Sequence, residues 1–532
     1  MFDYILTNGL IADGSGAKPY LGSVCVKDGK IAKILSAGEA LPECKTQYDV
    51  NGHFIAPGFM DIHTHSDYSY LADPEMKICL GSGITLNVIG NCGLSCIPVR
   101  DIREDYEIVG QSSLFDHQIN RGLFDAYDVT SYGENIAKHG STVNVGAMIG
   151  HGRLREYVIG WELRQLTPEE LQEMCELADK LLSQGAIGIS LGLIYAPGSF
   201  CETSELLALG KVVAKHNKII SVHMRNENDR IFEALDEMIY VARETGCRIE
   251  ISHLKLMGTR QWGKVGQLLS KLEQARASGI RITADQYPYT SSHSGLASSF
   301  PVWSQGGGRD AMAERLKDDR EWAKILPEVK EIMASRGGAD QITISETGPY
   351  PFPEIEGKTL PEVAEFLGMK LMDAVRAIMI RCRCRIQCFY HNMSDEDVLA
   401  IMSRTDISVV SDGTSFNPAH YAGRPHPRNT GSAPRFLRLA RENKLMPPEL
   451  AITKLTSVPA SVIGVADRLG YIKEGYDASI TVFDWENVTD CATFREGTLA
   501  SKGIDLVFVN GELVFDHGTF TGARPGKLIT VY

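Results

Sequence analysis

The chain has 532 residues, with 54 Lys plus Arg against 67 Asp plus Glu and a formal net charge of −13. That length predicts a large domain with a smaller companion rather than one simple core. The acidic balance argues against nucleic acid or an anionic membrane as partner, and no apolar run reaches the ~18 residues that would span a bilayer.

Residues 1 to about 57 read as short strands and tight turns. Asn8-Gly9 and Asp28-Gly29, each flanked by apolar residues, are hairpin signals. The N-terminal stretch lacks the basic, apolar, small-residue order of a signal peptide. The expected compartment is therefore cytoplasmic, and the 12 cysteines are expected to be mostly reduced thiols. Cys382, Cys384 and Cys388 lack the paired spacing of a zinc knuckle and read as core or surface thiols.

From residue 58 onward, apolar strand-like runs alternate with amphipathic helices. The strand candidates are Phe59–Ile62, Ile84–Ile89, Val143–Ile149, Ile187–Leu191, Ile219–Val222, Ile249–Ser252, Ile282–Asp285, Phe389–His391 and Ile407–Val410. One helix is signalled by the capping box Thr167-Pro168-Glu169-Glu170, followed by an apolar face at Leu171, Met174, Leu177, Ala178, Leu181 and Leu182 and by Gly185. Asp229 to Gly246 follows the same plan, with Ile231, Leu235, Met238, Ile239 and Ala242 inward.

Repeated strand–helix units imply a parallel sheet, and eight of them a closed TIM-like (β/α)8 barrel with its active site at the strands' C-terminal ends. Nine candidates compete for those places; either Ile282–Asp285 or Phe389–His391 lies outside the ring. Residues of about 291–353 carry Gly306-Gly307-Gly308 near one end and Pro349, Pro351 and Pro353 near the other, which predicts an inserted lid. The C-terminal runs around Ile480–Phe483, Leu506–Val509 and Leu513–Phe515, with Asn510-Gly511 between the last two, resemble the N-terminal ones in style. The expected organisation is a small β-sandwich domain from residues 1–57 plus 466–532, clasping a catalytic barrel at 58–465.

The strand ends carry the chemistry. The first ends in His63 and His65, two residues apart and so on one face. The second ends in Asn91-Cys92-Gly93, the fifth in His223, the sixth in His253 and the last in Ser411-Asp412-Gly413. Each is ordinary alone: a structural histidine, a buried small thiol, a turn aspartate. Together at one rim, imidazole, thiolate and carboxylate form a zinc ligand set. Asp412 also suits proton transfer between an attacking water and a leaving nitrogen, while a metal polarises the carbonyl; that outlines an amide hydrolase. On the substrate side, Lys255 shares His253's face by spacing, Tyr289 is placed to donate to an oxyanion or a carboxylate, and Arg428 suits a carboxylate held through paired hydrogen bonds.

Pro57-Gly58-Phe59-Met60-Asp61-Ile62-His63-Thr64-His65-Ser66-Asp67 resembles the opening motif of the amidohydrolase superfamily. The stretches Gly90–Gly93, Gly150–Arg155, Gly192–Gly198, His223–Glu227, Ser252–Lys255, Asp285–Tyr289, Ser411–Gly413 and His426–Arg428 resemble, in order, those of its D-aminoacylase (N-acyl-D-amino-acid deacylase) family. The resemblance implies one tight zinc held by Cys92, His223 and His253, and a second, weaker position at His63 and His65. It implies Asp412 as catalytic acid/base, and Lys255, Tyr289 and Arg428, with Ser294, around the substrate's carboxylate. The implied reaction is hydrolysis of an N-acyl-D-amino acid to a carboxylate and a free D-amino acid, so the expected partner is a small molecule; the oligomeric state stays open. Three features depart from the family: a long loop between Asp412 and Arg428, Gly431–Arg435 where an aromatic is more usual, and Ser479 in place of an aspartate.

A cyclic-amide hydrolase, dihydroorotase- or hydantoinase-like, is the alternative on the same barrel; Cys92 and the absence of lysine from Ala186–Leu191 speak against it. A deaminase is disfavoured because Glu227, four residues past His223, shares no obvious face with it. A non-catalytic scaffold conflicts with six metal-type side chains at one rim.

Overall fold

The computed structural model describes residues 1–100, 124–419, 421 and 423–532. The N-terminal segment supplies β1 (Phe2–Ile11), β2 (Tyr20–Lys27), β3 (Lys30–Ser36), β4 (Cys44–Asp49) and β5 (Phe54–Pro57). Asp28 and Gly29 both have positive φ, 50° and 77°, which is the backbone of a two-residue turn joining right-twisted strands. Asn8-Gly9 differs from expectation. It makes no hairpin but a bulge inside the single long strand β1, where the register against β2 shifts between Leu6 and Gly9. A Cβ at Gly9 would lie 2.2 Å from Ile55 Cδ1, so glycine there serves close packing rather than chain reversal.

The barrel strands are β6 (Phe59–Asp61), β7 (Ile84–Ile89), β8 (Asn144–Gly150), β9 (Gly188–Gly192), β10 (Ile219–His223), β11 (Arg248–Ile251) and β12 (Ile282–Gln286). They pair in parallel and in sequence order. Next in the chain come β13 (Ser291–Gly295), β14 (Ile342–Glu346) and β15 (Gln387–His391), which form a separate three-stranded antiparallel sheet, and then β16 (Ser408–Val409), which pairs with β12 and completes the eight. Phe389–His391 is therefore the candidate outside the ring. Because β13 pairs with β15, the inserted unit runs on to His391 instead of ending near residue 353. Backbone bonds from His65 N to Gly413 O (2.7 Å) and from Asp412 N to His63 O (2.9 Å) join the extensions of β6 and β16, so the first and last strand ends meet at the rim.

The chain ends with β17 (Ile480–Phe483), β18 (Ile504–Val509), β19 (Glu512–Asp516), β20 (Thr519–Phe520) and β21 (Leu528–Ile529). β17 pairs with β5, so the two chain termini share one nine-stranded sheet. Val24, Val26 and Ile31 from one half and Leu506, Phe508 and Leu513 from the other share a buried cluster, so that sheet folds over its own core. The tail leaves it: β21 pairs with β8, and Ile529 joins Met60, Leu86, Met148, Ile187 and Ile219 in a buried cluster of the barrel.

The helices match their sequence signals. Pro168–Ser183 starts at the reciprocal Thr167–Glu170 capping box and buries Met174, Ala178, Leu181 and Leu182. Ile231–Thr245 buries all five expected residues and stops at Gly246, φ 70°. Each such face packs on the sheet, and truncating one buried leucine would cost about 2–5 kcal/mol. Among the described residues no helix is long and apolar enough to cross a membrane.

Candidate metal centre

Three of the site residues stand just past strand ends in the left-handed region: Cys92 at φ 54°, His253 at φ 39° and Asp412 at φ 50°. Non-glycine residues hold such angles at a cost of about 1–3 kcal/mol each, and only where the surroundings fix them. Around Cys92 they do. A Cβ at Gly90 would lie 2.2 Å from Met148 O, and one at Gly93 2.6 Å from Gly192 N, so the turn is wedged against β8 and β9. Asn91 Nδ2 ties it to Val88 O at 3.0 Å.

These turns bring five of the predicted residues onto Cys92. Its Sγ lies 3.3 Å from His63 Nε2, 3.4 Å from His253 Nε2 and 3.8 Å from His223 Nδ1. Asp412 Oδ1 lies 3.1 Å from His65 Nε2 and 3.5 Å from His63 Nε2. Two ligand groups result, Cys92–His223–His253 and His63–His65–Cys92–Asp412, with the thiol common to both. The spacings suit a metal. Tetrahedral zinc with Zn–S near 2.3 Å and Zn–N near 2.0–2.1 Å sets its ligand atoms roughly 3.5 Å apart.

The charges agree. Burial pushes the Cys92 thiol up, but His63 and then His253 reverse this and hold it well below its ordinary value, as a thiolate. Burial likewise opposes ionisation of Asp412, yet Arg428 and His253 keep its carboxyl well below the usual range. Arg428 Nη1 sits 2.8 Å from Asp412 Oδ2. Behind His63, Asp285 Oδ2 lies 3.3 Å from Nδ1, fixing that ring with its Nε2 toward the centre. A further group, His151–Cys201–Glu205, is of metal type, but Arg155 pairs with Glu205 at 2.5 Å and already neutralises that carboxylate. The Gly150–Arg155 stretch thus buttresses the wall and reaches no ligand.

The residues expected around the substrate divide. Arg428 is buried beside Asp412, and its Nε has no partner among the described residues. Ser294 Oγ lies 3.3 Å from the hydroxyl of Tyr195, whose ring is 4.9 Å from that of His223. Tyr289's hydroxyl donates to Pro427 O at 3.2 Å, and Arg435 covers its ring. Tyr287 also lies beside Arg428, whose Cζ is 4.8 Å from its ring centre, and its buried hydroxyl has no partner among the described residues. The two rings part because Tyr289 N bonds to Tyr287 O (3.0 Å), a three-residue turn that breaks strand alternation. Lys255 Nζ is committed to Glu227 Oε1 at 2.6 Å, His253 Nδ1 at 2.7 Å and His253 O at 3.0 Å.

Sequence reasoning missed Tyr195, Tyr287 and Glu227. Glu227 reaches 3.2 Å from His223 Nε2 because the chain after β10 is neither strand nor helix, so counting faces along it misleads. Its place in a repeated His/Glu/Lys vicinity of two strand ends was the available signal.

A closed parallel ring with this thiolate, imidazole and carboxylate set at its C-terminal rim defines a metal-dependent hydrolase. A family model described as "Amidohydrolase family" matches residues 386–515. The chain is 33% identical to an N-acyl-D-glutamate deacylase of Alcaligenes xylosoxydans xylosoxydans, over 99% of this chain and 96% of that one. It is 32% identical to a D-aminoacylase of the same organism, over 99% and 97%. The crystal structure of N-acyl-D-glutamate deacylase from Bordetella bronchiseptica, complexed with zinc and a phosphonate mimic of the tetrahedral intermediate, matches with a TM-score of 0.83 at 31% identity and full coverage of both chains. The chain belongs to the D-aminoacylase (N-acyl-D-amino-acid deacylase) family of the amidohydrolases, and its side chains form two groups of metal-ligand type at the barrel rim. An L-hydantoinase from Arthrobacter aurescens, at 15% identity and a TM-score of 0.56, shares only the fold, and the cyclic-amide alternative is set aside.

Proposed function

We infer that the chain hydrolyses the amide bond of N-acyl-D-amino acids with one tight zinc held by Cys92, His223 and His253, and with a second, weaker position at His63 and His65. The observation that carries this is the Cys92 thiol standing at the junction of two ligand groups, one of which includes Asp412. When bound, zinc supplies Lewis acidity to the scissile carbonyl and to the attacking water. Asp412 Oδ1 accepts a proton from that water as its oxygen bonds to the acyl carbon. As the C–N bond breaks, Asp412 returns the proton to the leaving nitrogen, giving a carboxylate and a free D-amino acid. Arg428 keeps Asp412 ionised and ready to accept.

The substrate's α-carboxylate meets Arg428 and Tyr287, whose unpartnered donors Nε and Oη are the groups a buried anion would satisfy. Tyr195 and Ser294 form the wall between the ligand group and a cavity lined by Ala196, Gly295, Ala297 and Arg309. We place the D-side chain in that cavity and propose an acidic side chain as the preferred one. Relatives named for N-acyl-D-glutamate and N-acyl-D-aspartate support this choice. Of the wider architecture, we propose residues 58–465 as the catalytic unit, and the cytoplasm as its compartment.

The test is a panel of N-acetyl-D-glutamate, N-acetyl-D-methionine, N-acetyl-D-lysine, N-acetyl-L-glutamate and a hydantoin. D-glutamate should be released fastest, and neither the L-substrate nor the ring should turn over. Turnover of the ring alone would sink the assignment; equal rates on all three D-substrates would remove the preference for an acidic side chain from it.

A further inference from the structure

Glu227 is a buried carboxylate to which the hydrolysis itself gives no task. Its two oxygens divide between the histidines of the tight site. Oε2 lies 3.2 Å from His223 Nε2 and Oε1 lies 3.1 Å from His253 Nδ1. In both rings the other nitrogen is the one turned to Cys92. One carboxylate thus stands behind two ligands at once, and His223 Nε2, which has no hydrogen-bond partner among the described residues, lies within ion-pair distance of Glu227.

Lys255 competes for one of these nitrogens. Its Nζ is 2.7 Å from His253 Nδ1 and 2.6 Å from Glu227 Oε1. A neutral imidazole carries one hydrogen, and an ammonium only donates. If Lys255 donates to Nδ1, the ring hydrogen sits on Nε2 and that nitrogen has no lone pair for a metal. If Nε2 ligates, the hydrogen sits on Nδ1, where it meets Glu227 as acceptor and Lys255 donor against donor. The two arrangements exclude each other. The freed Lys255 would not go far: its Nζ is 5.9 Å from the ring centre of Tyr287, over which Arg428 also lies.

We propose that Glu227 is a positioning residue that fixes His223 and His253 in their metal-binding tautomers, and that ligation by His253 releases Lys255 from Nδ1 to the substrate's carboxylate. The proposal rests on the zinc assignment above and deepens it. Metal loading and substrate binding would then be coupled through one ring nitrogen, and Lys255, apparently committed elsewhere, would join Arg428 and Tyr287 only in the loaded enzyme.

The experiment compares wild type, Glu227→Gln and Lys255→Met. Zinc affinity is measured by competition with a chromophoric chelator, ligation by the visible spectrum of the cobalt-substituted protein, and KM and kcat on N-acetyl-D-glutamate. Glu227→Gln should weaken zinc about 10–100-fold and alter the cobalt spectrum. Lys255→Met should bind zinc at least as tightly as wild type, because a competing donor is gone, yet raise KM about tenfold with a smaller change in kcat. Three results overturn the proposal: wild-type zinc affinity in Glu227→Gln, zinc weakened in step in Lys255→Met, or an unchanged KM in Lys255→Met. If Glu227→Gln does not fold, the Lys255 variant decides alone. Wild-type inactivity on every N-acyl-D-amino acid would instead sink the functional assignment, leaving the zinc affinities to be judged separately.

Discussion

The two sides of the Cys92 thiol are built differently. On one, His223 and His253 are buried and share Glu227 behind them. On the other, His63 is braced by Asp285, but His65 keeps 27% of its side chain exposed and leans on Asp412. Supporting carboxylates orient ligand rings and raise their basicity, so the first side is prepared to hold a cation permanently. The second side is the more open one, and there the carboxylate on the inner face, Asp412, is the one proposed to change protonation, while Asp285 stands behind His63. In the proposed roles, holding the metal and handling the proton are thus separated across a single shared sulfur.

The sharpest way to break that division is Asp412→Asn. Turnover should fall about 10²–10⁴-fold while the tight zinc stays, because the amide keeps the shape but cannot accept the proton. Zinc analysis beside steady-state kinetics checks both halves; loss of the metal would show that the sides are not separable. Cys92→Ala should remove stoichiometric zinc, whereas His65→Ala should retain it and lose activity only in part. Equal zinc loss in both would erase the asymmetry.

Much of this was legible in the chain itself. Strand–helix alternation is a local pattern, so the ring could be read from it, and His63 and His65 share a face simply by spacing. Cys92, His253 and Asp412 were legible as residues but not as geometry. They sit beyond their strands at positive φ, where period-two counting has ended. Non-local pairing was invisible: nothing in Phe389–His391 announces that it joins Ser291–Gly295 rather than a neighbour in the ring. Glu227 and Tyr287 were missed for the same reason as each other, since each lies in a turn and its facing partner depends on backbone angles that composition does not report.

A smaller effect is expected on the substrate side. Arg428→Leu should raise KM by about 10–100-fold through loss of a charge-assisted bond, and should also lower kcat, because the same guanidinium holds Asp412 ionised. A change confined to KM would mean that Asp412 needs no such support. In stability terms, carboxyls held well below their ordinary range, as Asp412 and Glu227 are, stabilise the fold above the unfolded carboxylate range near pH 4. That stabilisation is lost as pH falls through their folded values, so the zinc-free protein should lose melting temperature below about pH 4 more steeply than Asp412→Asn.

The smallest effects separate the two tyrosines that flank Pro288. Tyr287→Phe removes an unpartnered donor beside Arg428, so KM should rise about tenfold while the melting temperature hardly moves. Tyr289→Phe removes a donor already given to Pro427 O, so it should cost about 1 kcal/mol of stability and leave KM within about twofold. The pair is informative because both changes delete one oxygen, two residues apart, from equally buried rings. If Tyr289→Phe raised KM and Tyr287→Phe did not, the carboxylate would have to lie on the far side of Arg428, against Arg435, and the division of labour around Cys92 would extend one turn deeper into the wall than the distances imply.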